Sequence, residues 1–438
     1  MKQRIPRFFD FLRIGLLALA GVAGAAPAQE PPAWKFDFGG GSAAPGHVGV
    51  DARTLYSADR GYGFEPDGTP PVQARGFVTA AHPFLFSVAV PEGNYRVTVT
   101  LGDAAAASRT TVRAESRRLM LEAVTTRSGE FATRSFIVNV RRSGLVPPPR
   151  DAPGGASVIT SDRETGSYTW DEKLTLEFGD AAPKIVALVI EPVHVPTVYL
   201  VGDSTVTDQR WEPTASWGQM LPRFFAPQVA VANHAESGET LKSFLSELRL
   251  AKVLDTLQAG DYLFIQFGHN DQKAQWPQTY ADAATTYRSY LRAYIDEARR
   301  HGATPVLVTS PERRNFDAQG RIVNTLQGYP DAVRALARGE NVALIDLAAM
   351  STRLYEALGP QRAALAFADG GRDHTHNSDY GAYELARCIV ESIRGADRPL
   401  AALLLPDSAR FDPSRPDDPA AFALPESLAH SELKPRGS

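Results

Sequence analysis

Hydrophobic and polar positions follow two different periods along the chain. Between about residues 33 and 194 they alternate: Tyr95, Val97, Val99 and Leu101 are separated by Arg96, Thr98 and Thr100. Period two puts every second side chain on one face, the mark of a half-buried strand. The same alternation runs through Phe84, Phe86, Val88 and Val90, through Phe136, Val138 and Val140, and through Leu174, Leu176 and Phe178. Turn-forming residues such as Pro91-Glu92-Gly93-Asn94 separate the runs, and no long helical pattern interrupts them. Residues 33–194 are therefore predicted to form an all-β sandwich of jelly-roll type. The Pro- and Gly-rich stretch Pro147–Gly155 is expected to be a surface loop.

From about residue 196 the pattern changes. Short apolar runs recur at Val198–Val201, Val229–Ala232, Tyr262–Phe267, Val306–Thr309 and Val342–Ile345, with helical segments such as Tyr280–Arg300 between them. Strand then helix, repeated, predicts an α/β domain over 196–396, with a parallel sheet covered by helices on both faces. A last helix is expected over Tyr380–Ser392, after a cap at Asn377-Ser378. Residues 397–438, rich in Pro, Ala and Ser, are expected to be a poorly ordered tail apart from the apolar Leu400–Leu405.

The first 28 residues carry Lys2, Arg4, Arg7 and Arg13, then the apolar Ile14–Ala26, then Ala26-Pro27-Ala28. That is the layout of an export signal cleaved near Ala28, and the run is shorter than the ~20 residues a spanning helix needs. The protein is expected to be secreted or periplasmic, with no membrane contact after signal removal. Charge narrows the partners further. The net charge of −4 and the lack of any Lys/Arg run argue against nucleic acid and anionic membranes. Cys388 is the only cysteine, so no intramolecular disulfide is available. It sits among Leu385, Ala386, Ile389 and Val390 in a helical pattern and reads as a packing residue.

Four places in the second half carry candidate chemistry, each just after an apolar strand or ahead of the last helix, where open parallel sheets bind ligands. In Gly202-Asp203-Ser204-Thr205, Ser204 is either a nucleophile on a tight turn or an ordinary helix cap. Within Asn233–Gly238, Gly238 can offer an unobstructed N–H to a developing oxyanion. In Gly268-His269-Asn270-Asp271, the Asn270 amide can do the same. In Asp373-His374-Thr375-His376, a carboxylate three residues before an imidazole can orient it as a general base. His374 and His376 also alternate like metal ligands, but no further His or Cys ligands cluster near them.

The ordered set Ser, Gly, Asn, Asp, His resembles the SGNH hydrolases, and within them the rhamnogalacturonan acetylesterases. The likeness spans about residues 197–395. Besides the four blocks it includes Trp217-Gly218-Gln219-Met220-Leu221, Gly260-Asp261-Tyr262 leading to Gln266-Phe267, Arg314-Asn315-Phe316, Asn324-Thr325-Leu326 with Tyr329-Pro330, and Ile345-Asp346-Leu347. The resemblance implies a flavodoxin-like sheet of order 2-1-3-4-5, no metal and no cofactor. It also implies Ser204 as nucleophile, His376 as base, Asp373 as its partner, and an oxyanion hole of the Ser204 and Gly238 amides with the Asn270 side chain. The expected activity is removal of acetyl groups from rhamnogalacturonan, and the expected partner is an acetylated plant cell-wall polysaccharide or oligosaccharide.

One departure stands out. The second block usually ends Gly-Gly-Arg-Ser in this family, and here it reads Ser237-Gly238-Glu239-Thr240. Glu239 in place of a basic residue is expected to repel an acidic pectic backbone. The first half is similar to galactose-binding or malectin-like modules, through Phe36-Asp37-Phe38-Gly39 and Gly61-Tyr62-Gly63-Phe64. Trp170, Tyr56 and Tyr62 are its candidate sugar contacts, the alternative being a structural domain that closes one side of the active site. Two rival functions remain: the same chemistry on xylan, an arylester or a lipid, and a carbohydrate-binding protein that has lost activity. The polar segments Asp203–Ser216 and Asn270–Thr279, with Trp211 and Trp276, suit sugars better than acyl chains. Intact Ser204, Asp373 and His376 argue against the second rival.

Overall fold

In the computed structural model, residues 33–146, 154–396, 399–406, 408–428 and 435 are described. The expected export signal and most of the 147–155 loop lie outside these. The alternating half forms two facing sheets. One runs in the order Phe131–Val140, Gly93–Gly102, Ile185–Pro192, Trp34–Asp37, Val48–Gly49, with Phe77–Thr79 and Val72–Ala74 attached. The other runs Tyr62–Phe64, Phe84–Ala89, Lys173–Ala182, Ser108–Ala114, Arg118–Thr126. Val97, Val99 and Leu101 are buried while Arg96, Thr98 and Thr100 are not, so the period-two pattern maps onto an inside and an outside. Phe86 forms the centre of the core, with the rings of Phe36, Phe38 and Phe64 edge-on at 5.2, 5.2 and 5.1 Å.

The second half holds five strands, all parallel, in the order Ala230–Asn233, Thr197–Gly202, Tyr262–Gln266, Thr304–Val308, Ala343–Ile345. Counted along the chain this is 2-1-3-4-5. Each continuous apolar run divides between two cores. Val198 and Leu200 join the cluster with Leu354, Tyr355, Leu385 and Ile389, from the helices Leu347–Ala363 and Asp379–Gly395. Tyr199 and Val201 join Leu250, Leu291, Tyr294 and Leu336 on the opposite face, from Arg249–Thr256, Thr286–Arg300 and Tyr329–Gly339. Burial on both faces is why these strands read as unbroken hydrophobic runs. The helix expected from Tyr280 begins at Thr286, because Asp282 Oδ1 accepts the N–H groups of Ala284 and Thr285 and turns the chain first. Ser378 caps the last helix by accepting the Gly381 N–H.

The two halves, both within one compact unit that starts at Ala33, meet along a polar seam. Arg249, fully buried, pairs with Glu164 from the first half through both guanidinium nitrogens, Nη1 to Oε1 at 2.9 Å and Nη2 to Oε2 at 2.7 Å. Its Nε donates to Glu247 at 2.9 Å. Arg118 Nε lies 2.9 Å from Asp208, and Lys252 Nζ donates to Glu92 and to the Gly144 carbonyl, each at 2.8 Å.

The segment expected to be a poorly ordered tail packs instead. Leu400, Leu404 and Phe411 are buried, and the Phe422 ring sits 5.6 and 5.3 Å from those of Tyr380 and Tyr383. Beyond it Ser427 donates its N–H to Glu212 at 2.8 Å and its hydroxyl to Glu177 at 2.5 Å. Spaced single aromatics rather than a periodic run anchor this stretch, so composition alone misread it.

Candidate active site

The carboxyl end of the first parallel strand is pressed against its neighbour. A Cβ on Gly202 would come within 2.6 Å of the Gln266 carbonyl oxygen, so only glycine passes here. The chain then turns, with the Val206 and Thr207 N–H groups returning to the Asp203 carbonyl at 3.0 and 3.1 Å. That turn lifts Ser204 out of the strand line. Asp203 stays inside: Oδ1 accepts from the Thr205 N–H and hydroxyl at 3.0 and 2.9 Å, and Oδ2 faces His269 Nδ1 at 3.5 Å. Burial raises the Asp203 pKa, but His269 and the Thr205 donors outweigh it and hold the carboxyl below its usual range.

Ser204 Oγ lies 2.9 Å from His376 Nε2, and His376 Nδ1 lies 2.8 Å from Asp373 Oδ2. The other Asp373 oxygen accepts the Thr375 and His376 N–H groups at 2.7 and 2.9 Å. Burial pushes the Asp373 carboxyl up, yet its bond to His376 and these N–H donors bring it down to about 2. An ionised carboxylate only accepts, so His376 carries its proton on Nδ1 and leaves Nε2 to accept from Ser204. The spacing of three residues between Asp373 and His376 serves this geometry, since one turn presents both side chains and both amides to each other.

The expected oxyanion groups are linked to the Ser204 turn by hydrogen bonds, with Gln209 Nε2 between the Ser204 carbonyl and Ser237 Oγ and Asn270 on the Glu239 carbonyl. Gly238 has φ of +88°, a left-handed conformation in which a side chain would be strained. Among the described residues, neither the Ser204 nor the Gly238 N–H has an acceptor within the protein. Asn270, buried, donates from Nδ2 to the Glu239 carbonyl at 3.1 Å, which fixes the amide and leaves its second N–H available. His374, the other candidate metal ligand, turns its Nδ1 to Asn315 Oδ1 at 2.9 Å, while His376 faces Asp373 and Ser204. The two histidines are therefore committed to different partners.

Several positions read differently in the structure than in the sequence. Glu239 does not present charge to a ligand: it is buried, accepts from the Ser243 hydroxyl at 2.7 Å and lies 3.5 Å from Arg249. Burial raises its pKa well above the ordinary value despite Arg249. The predicted repulsion of acidic backbones by Glu239 is accordingly withdrawn. Trp170 is not an open sugar platform either; its Nε1 donates to Glu164 at 2.6 Å and its ring is stacked by the Arg141 guanidinium at 4.6 Å. Tyr62 packs against Phe36 at 5.0 Å, and Tyr56 lies under Lys173 at 4.7 Å. Trp276, at 41% exposure, does face outward.

Two residues escaped the sequence reading. Gln209 donates from Nε2 to the Ser204 carbonyl at 2.6 Å and reaches Ser237 Oγ at 3.4 Å. Arg313 donates to Thr375 Oγ1 and to the His269 carbonyl, both at 3.3 Å, tying the Asn270 loop to the His376 loop. Neither sits in a recognisable motif; only their contacts reveal them.

Residues 200–382 match the GDSL-like lipase/acylhydrolase family, and residues 34–145 match the beta-agarase/YXIM esterase-like, galactose-binding domain-like family. The chain is 43% identical over 216 residues to rhamnogalacturonan acetylesterase RhgT of Bacillus subtilis, covering 46% of this chain and 91% of that one. It is 30% identical over 401 residues to the uncharacterized esterase YxiM of the same organism, covering 88% and 96%. The crystal structure of YxiM matches 84% of this chain and 99% of that one, at 28% identity and a TM-score of 0.46. A serine, histidine and aspartate in hydrogen-bonded sequence and a likeness to the YxiM sequence over 88% of the chain lead to one assignment: the chain is an ester hydrolase that belongs to the GDSL-like lipase/acylhydrolase family, with a galactose-binding-like domain ahead of the hydrolase domain.

Proposed function

We propose that this protein is an exported acetylesterase that deacetylates rhamnogalacturonan in pectic polysaccharide, with Ser204 as nucleophile. The Ser204–His376–Asp373 relay at 2.9 and 2.8 Å is the observation that carries the acyl chemistry. The identity of 43% to an enzyme named rhamnogalacturonan acetylesterase supports the substrate, and the basic, apolar, small-residue order of the first 28 residues supports export.

The reaction runs in two halves. Ser204 Oγ attacks the acetyl carbonyl carbon as its proton passes to His376 Nε2, and Asp373 stabilises the imidazolium. The oxyanion accepts from the Ser204 and Gly238 N–H groups and the Asn270 amide. Collapse breaks the bond to the sugar oxygen, which takes the proton from His376 and leaves as a hydroxyl. Water, deprotonated by His376, then attacks the acetyl-enzyme, acetate departs, and Ser204 regains its proton. Acetate release from acetylated rhamnogalacturonan-rich pectin, with acetylated xylan alongside, tests the reading. Release from pectin that vanishes in Ser204→Ala is expected. Release only from xylan overturns the substrate, and release from neither overturns the enzyme assignment to glycans.

A further inference from the structure

The strands Ser108–Ala114 and Arg118–Thr126 of the sandwich are joined by a tip, Glu115-Ser116-Arg117. Glu115 and Arg117 have φ of +56° and +62°, left-handed values that non-glycine residues hold only when their surroundings impose them. The surroundings are partly the sandwich itself, through the Glu115 N–H to the Thr175 carbonyl at 2.8 Å. Ser116 Oγ also meets Thr169 Oγ1 of the sandwich half at 2.5 Å, and further contacts reach the hydrolase half. Arg117, with its side chain 3% exposed, donates from Nη1 to the carbonyls of Gln209 and Thr214 at 3.2 and 2.9 Å. Its Nη2 reaches Glu212 and Asp379, each at 3.2 Å. Gln219 closes the joint by donating to the carbonyls of Ser116 and Gln209 at 2.8 and 2.9 Å.

These contacts meet at one residue, Gln209, whose backbone the tip grips and whose side chain bonds the Ser204 carbonyl and approaches Ser237 Oγ. Ser204 and the residue after Ser237 carry the two backbone donors of the oxyanion hole. Asp379, the other end of the Arg117 fork, begins the helix three residues after His376. We propose that the Glu115–Arg117 tip, acting through Gln209 as a positioning residue, sets the oxyanion hole, so that the N-terminal domain is a working part of the catalytic centre. This rests on the roles assigned above to Ser204 and Gly238. The physical reason is that an oxyanion hole works by donors held in place before the charge develops. The two loops leave separate strand ends and are joined by the Glu236 N–H to the Gly202 carbonyl at 3.2 Å and the Thr207 hydroxyl to the Ala235 carbonyl at 2.8 Å, and Gln209 adds the link that reaches the Ser204 carbonyl itself.

The full chain carrying Gln209→Met keeps the side-chain length and removes the donor. On a small acetyl ester its kcat is expected to fall at least tenfold with KM within about twofold, since removing fixed donors reaches only the charged transition state. Affinity for a boronic acid that forms a tetrahedral adduct on Ser204 should fall by a similar factor, while inhibition by acetate should not change. Arg117→Lys, which retains charge but not the four-way fork, should show the same split at smaller size. A kcat within twofold of wild type in folded Gln209→Met overturns the proposal, as does equal weakening toward boronate and acetate. A wild-type kcat in Arg117→Lys overturns the part played by the sandwich. If the wild type itself leaves the small ester intact, the esterase reading fails instead, and the two failures are distinct.

Discussion

Replacing Arg249 by Met is the sharpest probe of how the two halves hold together. Met keeps most of the side-chain volume, so the loss is electrostatic rather than a cavity. Arg249 grips Glu164 with both ends of its guanidinium, at 2.9 and 2.7 Å, and Glu164 is itself buried. Burial raises the Glu164 pKa, and its bonds and charge contact with Arg249 more than reverse this. Without Arg249 the carboxylate keeps only neutral donors, the Trp170 and Ser161 N–H groups at 2.6 and 2.7 Å, and breaking a buried pair by removing its cation typically costs about 3–5 kcal/mol.

Glu164 has one escape, which is to take up a proton. Protonating a carboxyl of ordinary pKa near 4.3 costs about 5 kcal/mol at pH 8 and about 2.3 kcal/mol at pH 6, at about 1.36 kcal/mol per unit. The destabilisation of Arg249→Met is therefore capped by a ceiling that drops as pH falls. The sign follows from the proton count: the folded variant binds a proton that its unfolded chain has released, so rising pH favours unfolding. Urea unfolding of wild type and variant at pH 6 and pH 8 measures both deficits. A deficit of about 4 kcal/mol at pH 8 that shrinks to about 2 at pH 6 is expected. Adding Glu164→Gln to Arg249→Met should recover most of the loss. A deficit that stays constant or grows toward pH 6 would falsify the argument.

Other perturbations bear on the site. Asn270→Ala should lower kcat by roughly 10²–10³ on a small acetyl ester, and an undiminished kcat would remove Asn270 from the oxyanion hole. Asp373→Asn takes away an acceptor for His376 and should reduce kcat severely. Because Asp373 is held at about 2 when folded, the stability it adds above pH 4 is lost as pH falls toward 2, and the mutant should lack that acid limb in an unfolding series. Glu236, pushed to about 8 chiefly by burial, is neutral where an exposed glutamate is charged. Glu236→Gln should therefore resist urea better than wild type at pH 8 and about equally at pH 5.

The parallel sheet was legible because both faces are covered: runs such as Tyr262–Gln266 have no polar side to interrupt them. The sandwich was legible for the opposite reason, as Arg96, Thr98 and Thr100 mark the outward face of one strand. Ser204, Asp373 and His376, read as a set, lie within hydrogen-bond reach: Ser204 follows the strand Thr197–Gly202, and the turn ahead of the helix Asp379–Gly395 brings Asp373 and His376 to it. What escaped reading depends on pairs far apart in the chain. Glu239 reads as a surface charge until Arg249 and Ser243 are seen around it. Trp170 reads as a free aromatic until Arg141 and Glu164 take both its face and its N–H. Arg117 and Gln209 have ordinary neighbours in sequence, and their partnership across 92 positions leaves no local trace.

The path of the chain past the last helix alters what kind of object this is. The backbone builds the sandwich, then the hydrolase, and then travels back, so that Phe422 lies against Tyr380 and Tyr383 while Ser427 ends on both Glu212 and Glu177. The two halves are not beads joined by one thread but parts strapped together at a second point. A replacement module grafted in place of the sandwich would leave that strap without its seat at Glu177, however well the first junction were copied. Exchange of binding modules, easy in proteins whose domains touch only at a linker, is here opposed by the closing stretch of the chain itself.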